Sequence, residues 1–334
     1  MAEQTPGGQP PERNLALELV RATETAALAA GRWMGRNDKE SGDRAAVDAM
    51  RLMLSTVTMD GVVVIGEGEK DEAPMLFNGE RVGTGDPPQA DIAVDPIDGT
   101  RLLAEGRPGA LSVLAVAPRG TMLDPGPAVY MEKWVVDAQA AGVVDLDAPV
   151  ADNLAKVARA KGKEVGDLTV IMLDRPRHEE LFAEVRRAGA RLRLIMDGDV
   201  DAALLAAMPE RGVDVLIGVG GTPEGVVTAC ALQALGGELT GRLWPRDADE
   251  RARLVEAGFD VDRVVGPEDL VASSDTFFAA TGITSGDLLA GVDYRADGAT
   301  THSLVMRGKS RTVRWVDARH QLGKLREIST LTFR

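Results

Sequence analysis

Three features of the chain predict an α/β fold. From about residue 150, short apolar runs of strand length alternate with helix-period stretches, the rhythm of βαβα units and a mostly parallel sheet. Before that point, two helix-period segments precede several short apolar runs that read as buried strands. Strand after strand then ends in a loop of glycine and charge, where open α/β sheets gather their ligands. The 334 residues allow one large domain or two moderate ones with ample core. The expected organisation is a disordered tail over 1–13 and an α/β half over 14–150. A second α/β half covers 151–334, its final strands free to return to the first sheet.

The tail is rich in Gly, Pro and Gln and offers no apolar face to bury. From Asn14, Leu15, Leu19, Ala22, Ala26, Ala29 and Trp33 form one helical stripe, which Gly35 closes. A second helix follows from about Asp43, with Val47, Met50, Leu54 and Val57 inward. Asp43 falls in its first turn, as a helix-dipole partner in the first instance and a ligand in the second. Residues 62–65 read as a buried strand that runs into Gly66-Glu67-Gly68-Glu69-Lys70-Asp71-Glu72. Such acidic runs are usually solvated turns, but a surface charge run has no need of a glycine on each side of Glu67.

The stretch from Ala90 to Thr100 organises the rest. Ile92 and Val94 alternate with Asp91, Ala93 and Asp95 at the period of a strand. Pro96 lacks an N–H, so the strand is expected to stop at Asp95. Asp98-Gly99-Thr100 then turns into a short helix. Two aspartates three residues apart on such a turn can meet one hard cation, and N–H groups at the helix start can meet a phosphate. Asp-Pro and Asp-Gly are also ordinary turn dipeptides, so the turn alone decides nothing.

Residues 111–117 and 130–136 are expected to continue the same sheet, with 141–146 as hairpin partner to the latter. In the second half, strands at 168–173, 191–196 and 213–219 alternate with helices at 152–161, 179–188, 200–208 and 223–235. Their strand ends carry Arg175-Pro176-Arg177-His178, Asp197-Gly198-Asp199 and Gly220-Gly221-Thr222-Pro223-Glu224. A helix at 249–257 and candidate strands at 277–281, 291–294 and 301–306 follow. The basic run from Arg307 to Arg326 reads as a solvated strand pair.

Several chemistries are excluded. A net charge of −14 disfavours nucleic acid and anionic membranes, and no apolar run is long enough to span a bilayer. Cys230 is the only cysteine and sits in an apolar helix, which suits core packing in a reducing cytoplasm. Gly218-x-Gly220-x-x-Pro223 has proline where a dinucleotide fingerprint needs its third glycine, and Gly308-Lys309-Ser310 lacks the rest of a phosphate loop. His178, His302 and His320 make no zinc pattern. What remains is a set of acids at strand and helix ends, Asp43, Glu67, Asp95, Asp98 and Glu224. These are hard oxygen donors of the kind that suit Mg²⁺ or Mn²⁺ and displacement at phosphorus by an activated water.

Asp95-Pro96-Ile97-Asp98-Gly99-Thr100 resembles the signature turn of the lithium-sensitive, metal-dependent sugar and inositol phosphatases. Gly35-Arg36-x-Asp38-Lys39, Val64-Ile65-Gly66-Glu67-Gly68-Glu69, Tyr130-Met131-Glu132-Lys133 and Arg307-Gly308-Lys309-Ser310-Arg311-Thr312 are similar to the bacterial class II fructose-1,6-bisphosphatases. So are the three strand ends of the second half, and the likeness runs in order from about Asn14 to Leu325. The resemblance implies a layered α/β/α/β/α sugar-phosphatase fold, with two mixed sheets sandwiched by helices. It implies hydrolysis of fructose 1,6-bisphosphate in gluconeogenesis, in a cytoplasmic homo-oligomer, dimer or tetramer. It places metal ligands on Asp43, Glu67, Asp95, Asp98 and Glu224, the water-orienting hydroxyl on Thr100 and its acidic partner on Asp71. Substrate contacts fall on Asp98, Gly99, Thr100, Tyr130, Arg175, Pro176, Arg177, Asp197, Gly198, Asp199 and Gly221. Two rivals stay open: a phosphatase of sedoheptulose 1,7-bisphosphate or an inositol phosphate, and a sugar-phosphate sensor without turnover.

Overall fold

The structure is a computed structural model and describes residues 14–67 and 76–324. Helix α1 (Ala16–Ala30) runs through a short 3₁₀ turn (Gly31–Trp33) into α2 (Lys39–Leu54). Asp38 caps α2 by accepting the Ser41 N–H at 3.0 Å, so the helix starts earlier than expected and Asp43 is not its cap. Then come β1 (Asp60–Ile65), β2 (Arg81–Val82) and β3 (Gln89–Asp98), the short α3 (Thr100–Glu105) and β4 (Leu111–Pro118). The alternating half holds β5 (Tyr130–Val136), α4 (Val150–Lys161), β6 (Thr169–Leu173), α5 (Glu179–Ala188) and β7 (Arg191–Ile195). It continues with α6 (Asp199–Ala207), β8 (Val215–Gly221), α7 (Thr222–Leu235) and β9 (Glu238–Leu243). The chain closes with α8 (Ala248–Glu256), α9 (Pro267–Leu270), β10 (Phe277–Gly282), β11 (Asp293–Arg295), β12 (Gly298–Arg307) and β13 (Thr312–His320).

Two mixed sheets result. The first has the order β11-β12-β10-β4-β3-β1-β2, with β13 on β12, so the last strands of the chain return to it. The second has the order β7-β6-β8-β5-β9. Only β7-β6-β8 are parallel in it, so it is less parallel than the rhythm suggested; β5 runs against both β8 and β9. The faces sort the side chains by the period of two. On β4, Leu114 and Val116 meet α1 and α2, while Val113, Ala115 and Ala117 meet a middle layer built on α6 and α7. The outer face of the second sheet packs on α4 and α5 through Trp134, Val170, Met172 and Ile217. Five layers, α/β/α/β/α, follow. Helix α7 lies between the sheets, which explains why most of its residues are buried and its run from Val226 to Leu232 is apolar but for Thr228.

Two expectations fail here for the same reason, the absence of long-range information. Strand β5 belongs to the second sheet rather than the first, and β9, which was not foreseen, takes the place given to residues 141–146. Those residues form turns and irregular loop, and side chains hold part of the backbone around them: the Glu238 carboxylate accepts the Gly142 N–H. Asp137 accepts the N–H groups of Gln139 and Ala140 at 3.0 and 3.3 Å. Asn153 holds both the N–H and the C=O of Asp145.

Candidate active site

The site begins at the end of β3, which does not stop at Asp95. Asp95 faces Val113 and Asp98 faces Leu111, so three steps on β3 oppose two on β4. This bulge houses Pro96, whose missing N–H is harmless where the ladder is already interrupted. The Asp95 carboxylate accepts the Ile97 N–H at 3.1 Å and braces the bend. Gly99 follows at φ 89°, where a Cβ would stand 2.9 Å from Leu102 Cδ1, so glycine is required. Thr100 opens α3, and its hydroxyl lies 3.3 Å from Asp43 Oδ1 and 3.2 Å from the Ile97 carbonyl. The turn and α2 are thereby tied together.

The other acids arrive from different elements. Glu67 stands two residues past β1, and Glu224 occupies the first turn of α7 at the end of β8. Asp197 and Asp199 flank Gly198, the left-handed residue before α6, and the Asp201 N–H of that helix donates to Asp98 Oδ2 at 3.3 Å. These groups sit in one electrostatic field. Burial first, then Asp98, Glu67 and Glu224, hold the Asp95 carboxyl well above the ordinary carboxylate range. Burial, then Glu224, Asp197, Asp199 and Asp201, do the same to Asp98. Burial raises Asp43 to about 6, against the opposing Thr100 hydrogen bond. Glu67 lies exposed on the rim, yet surrounding protein displaces enough water to push it up to about 7, with Asp43 and Glu224 adding to the effect. Among the described residues no three His, Cys, Asp or Glu close into a ready cage. The donor set is nonetheless all oxygen, and the shared field is one that a hard divalent cation would relieve.

A buried cation enters this field. Lys133 projects from β5 into the middle layer, 1% exposed; it pairs with Asp199 and donates to the Gly221 carbonyl at 3.0 Å. It also draws down Glu224, which burial raises. In sequence Lys133 stands out only as the last residue of Tyr130-Met131-Glu132-Lys133; its signal is a lysine inside an apolar strand, between Met131 and Trp134, since buried charge requires a partner. Glycine at 221 leaves room for the Glu224 carboxylate, which a Cβ there, 1.7 Å from Oε2, would displace.

Across from the acids stands a basic and aromatic wall. Tyr130 faces Gly221 in the β5–β8 ladder and packs edge-on to Trp244. The Arg177 guanidinium lies 4.9 Å from the Tyr130 ring centre and donates to the Val219 carbonyl through Nε and Nη2, at 3.2 and 2.7 Å. Arg175 donates to the Met196 carbonyl at 2.6 Å and comes within 3.6 Å of Asp197. Pro176 starts the 3₁₀ turn (Pro176–His178) that sets both arginines on one strand end. Asp71, the expected acidic partner of Thr100, lies outside the described residues.

The family model "Bacterial fructose-1,6-bisphosphatase, glpX-encoded" matches residues 13–320. A fructose-1,6-bisphosphatase 1 class 2 from Escherichia coli K12 is 49% identical over 325 residues, which cover 93% of this chain and 96% of the relative. Class 2 fructose-1,6-bisphosphatases from Escherichia coli O6:H1 and Shigella flexneri have the same identity and coverage.

Proposed function

The chain belongs to the bacterial fructose-1,6-bisphosphatase family, and from that premise we propose that the acidic cleft at the ends of β1, β3 and β8 is where it cleaves phosphate from its substrate. The activity follows from membership: the enzyme hydrolyses fructose 1,6-bisphosphate to fructose 6-phosphate and phosphate, which is consistent with a role in gluconeogenesis. The observation that carries the placement is the meeting of Asp95, Asp98 and Glu224, each raised by burial and then by neighbouring acids, with a wall of two arginines and a tyrosine.

Asp43, Glu67, Asp95, Asp98 and Glu224 would hold Mg²⁺ or Mn²⁺, which when bound polarises the phosphoryl group and makes water a stronger nucleophile. Thr100 is the hydroxyl that orients the attacking water, and Asp71 is the acid that takes its proton. The place of the Thr100 hydroxyl supports this role: it lies 3.3 Å from Oδ1 of Asp43, a proposed ligand, and 3.2 Å from the Ile97 carbonyl at the bend of β3. Arg175 and Arg177, with Tyr130 and Pro176, hold the distal phosphate, because a guanidinium fork matches phosphate oxygens. Asp197 and Asp199 accept sugar hydroxyls. Gly99, Gly198 and Gly221 let backbone approach the substrate where a side chain would block it. A homo-oligomer, dimer or tetramer, in the cytoplasm belongs to the same reading; among the described residues no helix is long and apolar enough to cross a membrane.

The test is phosphate release from fructose 1,6-bisphosphate, sedoheptulose 1,7-bisphosphate and inositol 1-phosphate, with Mg²⁺, with Mn²⁺ and with chelator. Turnover of fructose 1,6-bisphosphate that requires the cation is expected. Full turnover in chelator would sink the metal assignment, and preference for the seven-carbon substrate would move the specificity.

A further inference from the structure

We infer that His178 is a positioning residue for substrate binding: its ring replaces the missing ladder between β6 and β8 and fixes Arg177 through the Val219 peptide. The two strands pair in parallel only at Val170↔Val215 and Ile171↔Leu216. Toward their carboxyl ends they separate, which opens the crevice where an α/β sheet takes its ligand. The His178 imidazole spans that gap. Nδ1 lies 2.8 Å from the Leu173 carbonyl at the end of β6, and the Val219 N–H of β8 donates to Nε2 at 2.8 Å.

A carbonyl only accepts and an amide N–H only donates, so these partners allow one form of the ring, neutral with its proton on Nδ1. Burial favours the neutral form too, since the side chain is 1% exposed. Phe182 packs edge-on at 6.0 Å and fixes the ring plane. Gly218 admits the ring: its φ is 142°, and a Cβ there would stand 3.0 Å from His178 Cε1. Val219 is thus held from both sides, its N–H by His178 and its carbonyl by Arg177. The imidazole sets where the carbonyl sits, and the carbonyl sets where the guanidinium lies over Tyr130.

The inference rests on the reading of Arg177 as a distal-phosphate contact, and its test separates the two. His178→Phe keeps the ring volume without either hydrogen bond, and His178→Asn is too short to reach Val219. His178→Gln still offers Val219 an acceptor. The Phe and Asn variants should raise KM for fructose 1,6-bisphosphate by about tenfold, with kcat within about threefold, as loss of uniform binding requires. The Gln variant should recover most of the KM. Arg177→Ala combined with His178→Phe should bind no worse than Arg177→Ala alone, because both remove one interaction. Additive losses in that pair, or a kcat fall at unchanged KM, would overturn the positioning role; so would a Gln variant as poor as Asn. If Arg177→Ala alone leaves KM unchanged, the phosphate assignment fails and this role with it.

Discussion

Strands β5 and β8 lie side by side and antiparallel, and each end of the pair carries buried carboxylates that the fold treats in opposite ways. Past Val136 and before Val215, Asp137 and Asp214 are matched by lysines. Lys161 is itself buried; it pairs with Asp137 and stands 3.1 Å from Asp214, while Lys163 reaches Asp214 at 2.6 Å. Burial alone would raise Asp214, but hydrogen bonds from Lys163, the Thr169 N–H and Lys161 bring it below its usual value. At the Tyr130 and Gly221 end, Asp199 and Glu224 share Lys133 and face Asp95, Asp98 and Glu67. The lysine end is complete in itself. Among the described residues the acidic end is left short of positive charge, the kind of local inconsistency that marks a working site rather than a structural one.

Substitution should separate the two ends. The largest effect is expected for Asp98→Asn, a drop in kcat of about 10³-fold or more, as for loss of a charge-stabilising group at the reacting centre. Stability without metal should hold or rise, because the change removes one charge from a crowded set. Steady-state kinetics and thermal unfolding in chelator read both; near-normal turnover at saturating cation would remove Asp98 from the machinery. At the other end, Lys161→Met should leave the buried Asp137 without its cation and Asp214 with Lys163 alone, and cost about 3–5 kcal/mol of stability. Urea unfolding measures it. A cost below about 1 kcal/mol would mean that this end is not held by charge pairing.

The ends should also answer pH with opposite signs. Asp43 and Glu67 have folded values of about 6 and about 7, above the ordinary 3.8 and 4.5. The folded metal-free chain therefore binds more protons than the unfolded one between those limits, and its stability should rise as pH falls from about 7 toward 5. Melting temperature across that range in chelator checks the slope, and bound cation should flatten it. A chelated protein that loses stability over the same interval would contradict the crowding of the acids.

How much of this was legible in sequence depends on reach. The β3 turn could be read because Asp95, Pro96, Asp98, Gly99 and Thr100 lie within six residues and each states its own backbone preference. Helix α7 was legible for the same reason, with Pro223 at its start and Gly236 at its end. Asp43 reads from sequence as a first-turn partner of the helix dipole because Asp38, Ser41 and Asp43 all suit a helix start, and only the fold shows Asp38 filling the cap. The sheet that β5 joins, and the partnership of Lys133 with Asp199, span separations that no local pattern encodes. His178 read as isolated because its partners are backbone atoms of Leu173 and Val219, to which sequence gives no address.

The smallest effect is expected at Lys163, and it sharpens the contrast within the lysine end. Lys163 meets the same carboxylate as Lys161, but its side chain is 39% exposed against 3% for Lys161. Water screens the outer pair and solvates either partner left alone, so Lys163→Met should cost only about 0.5–1 kcal/mol. The sign with pH follows from Asp214. Its folded value is depressed, so the contribution is present above the unfolded value near 3.8 and disappears as pH falls through the folded one. The difference between parent and Lys163→Met should therefore be constant from pH 8 to about 5 and begin to shrink below about 4. Urea midpoints at pH 7 and at successive steps below pH 4 give the two readings. Should Lys163→Met cost as much as Lys161→Met, burial would not be what distinguishes the inner pair, and the division between a self-sufficient end and a charge-starved one would lose its physical basis.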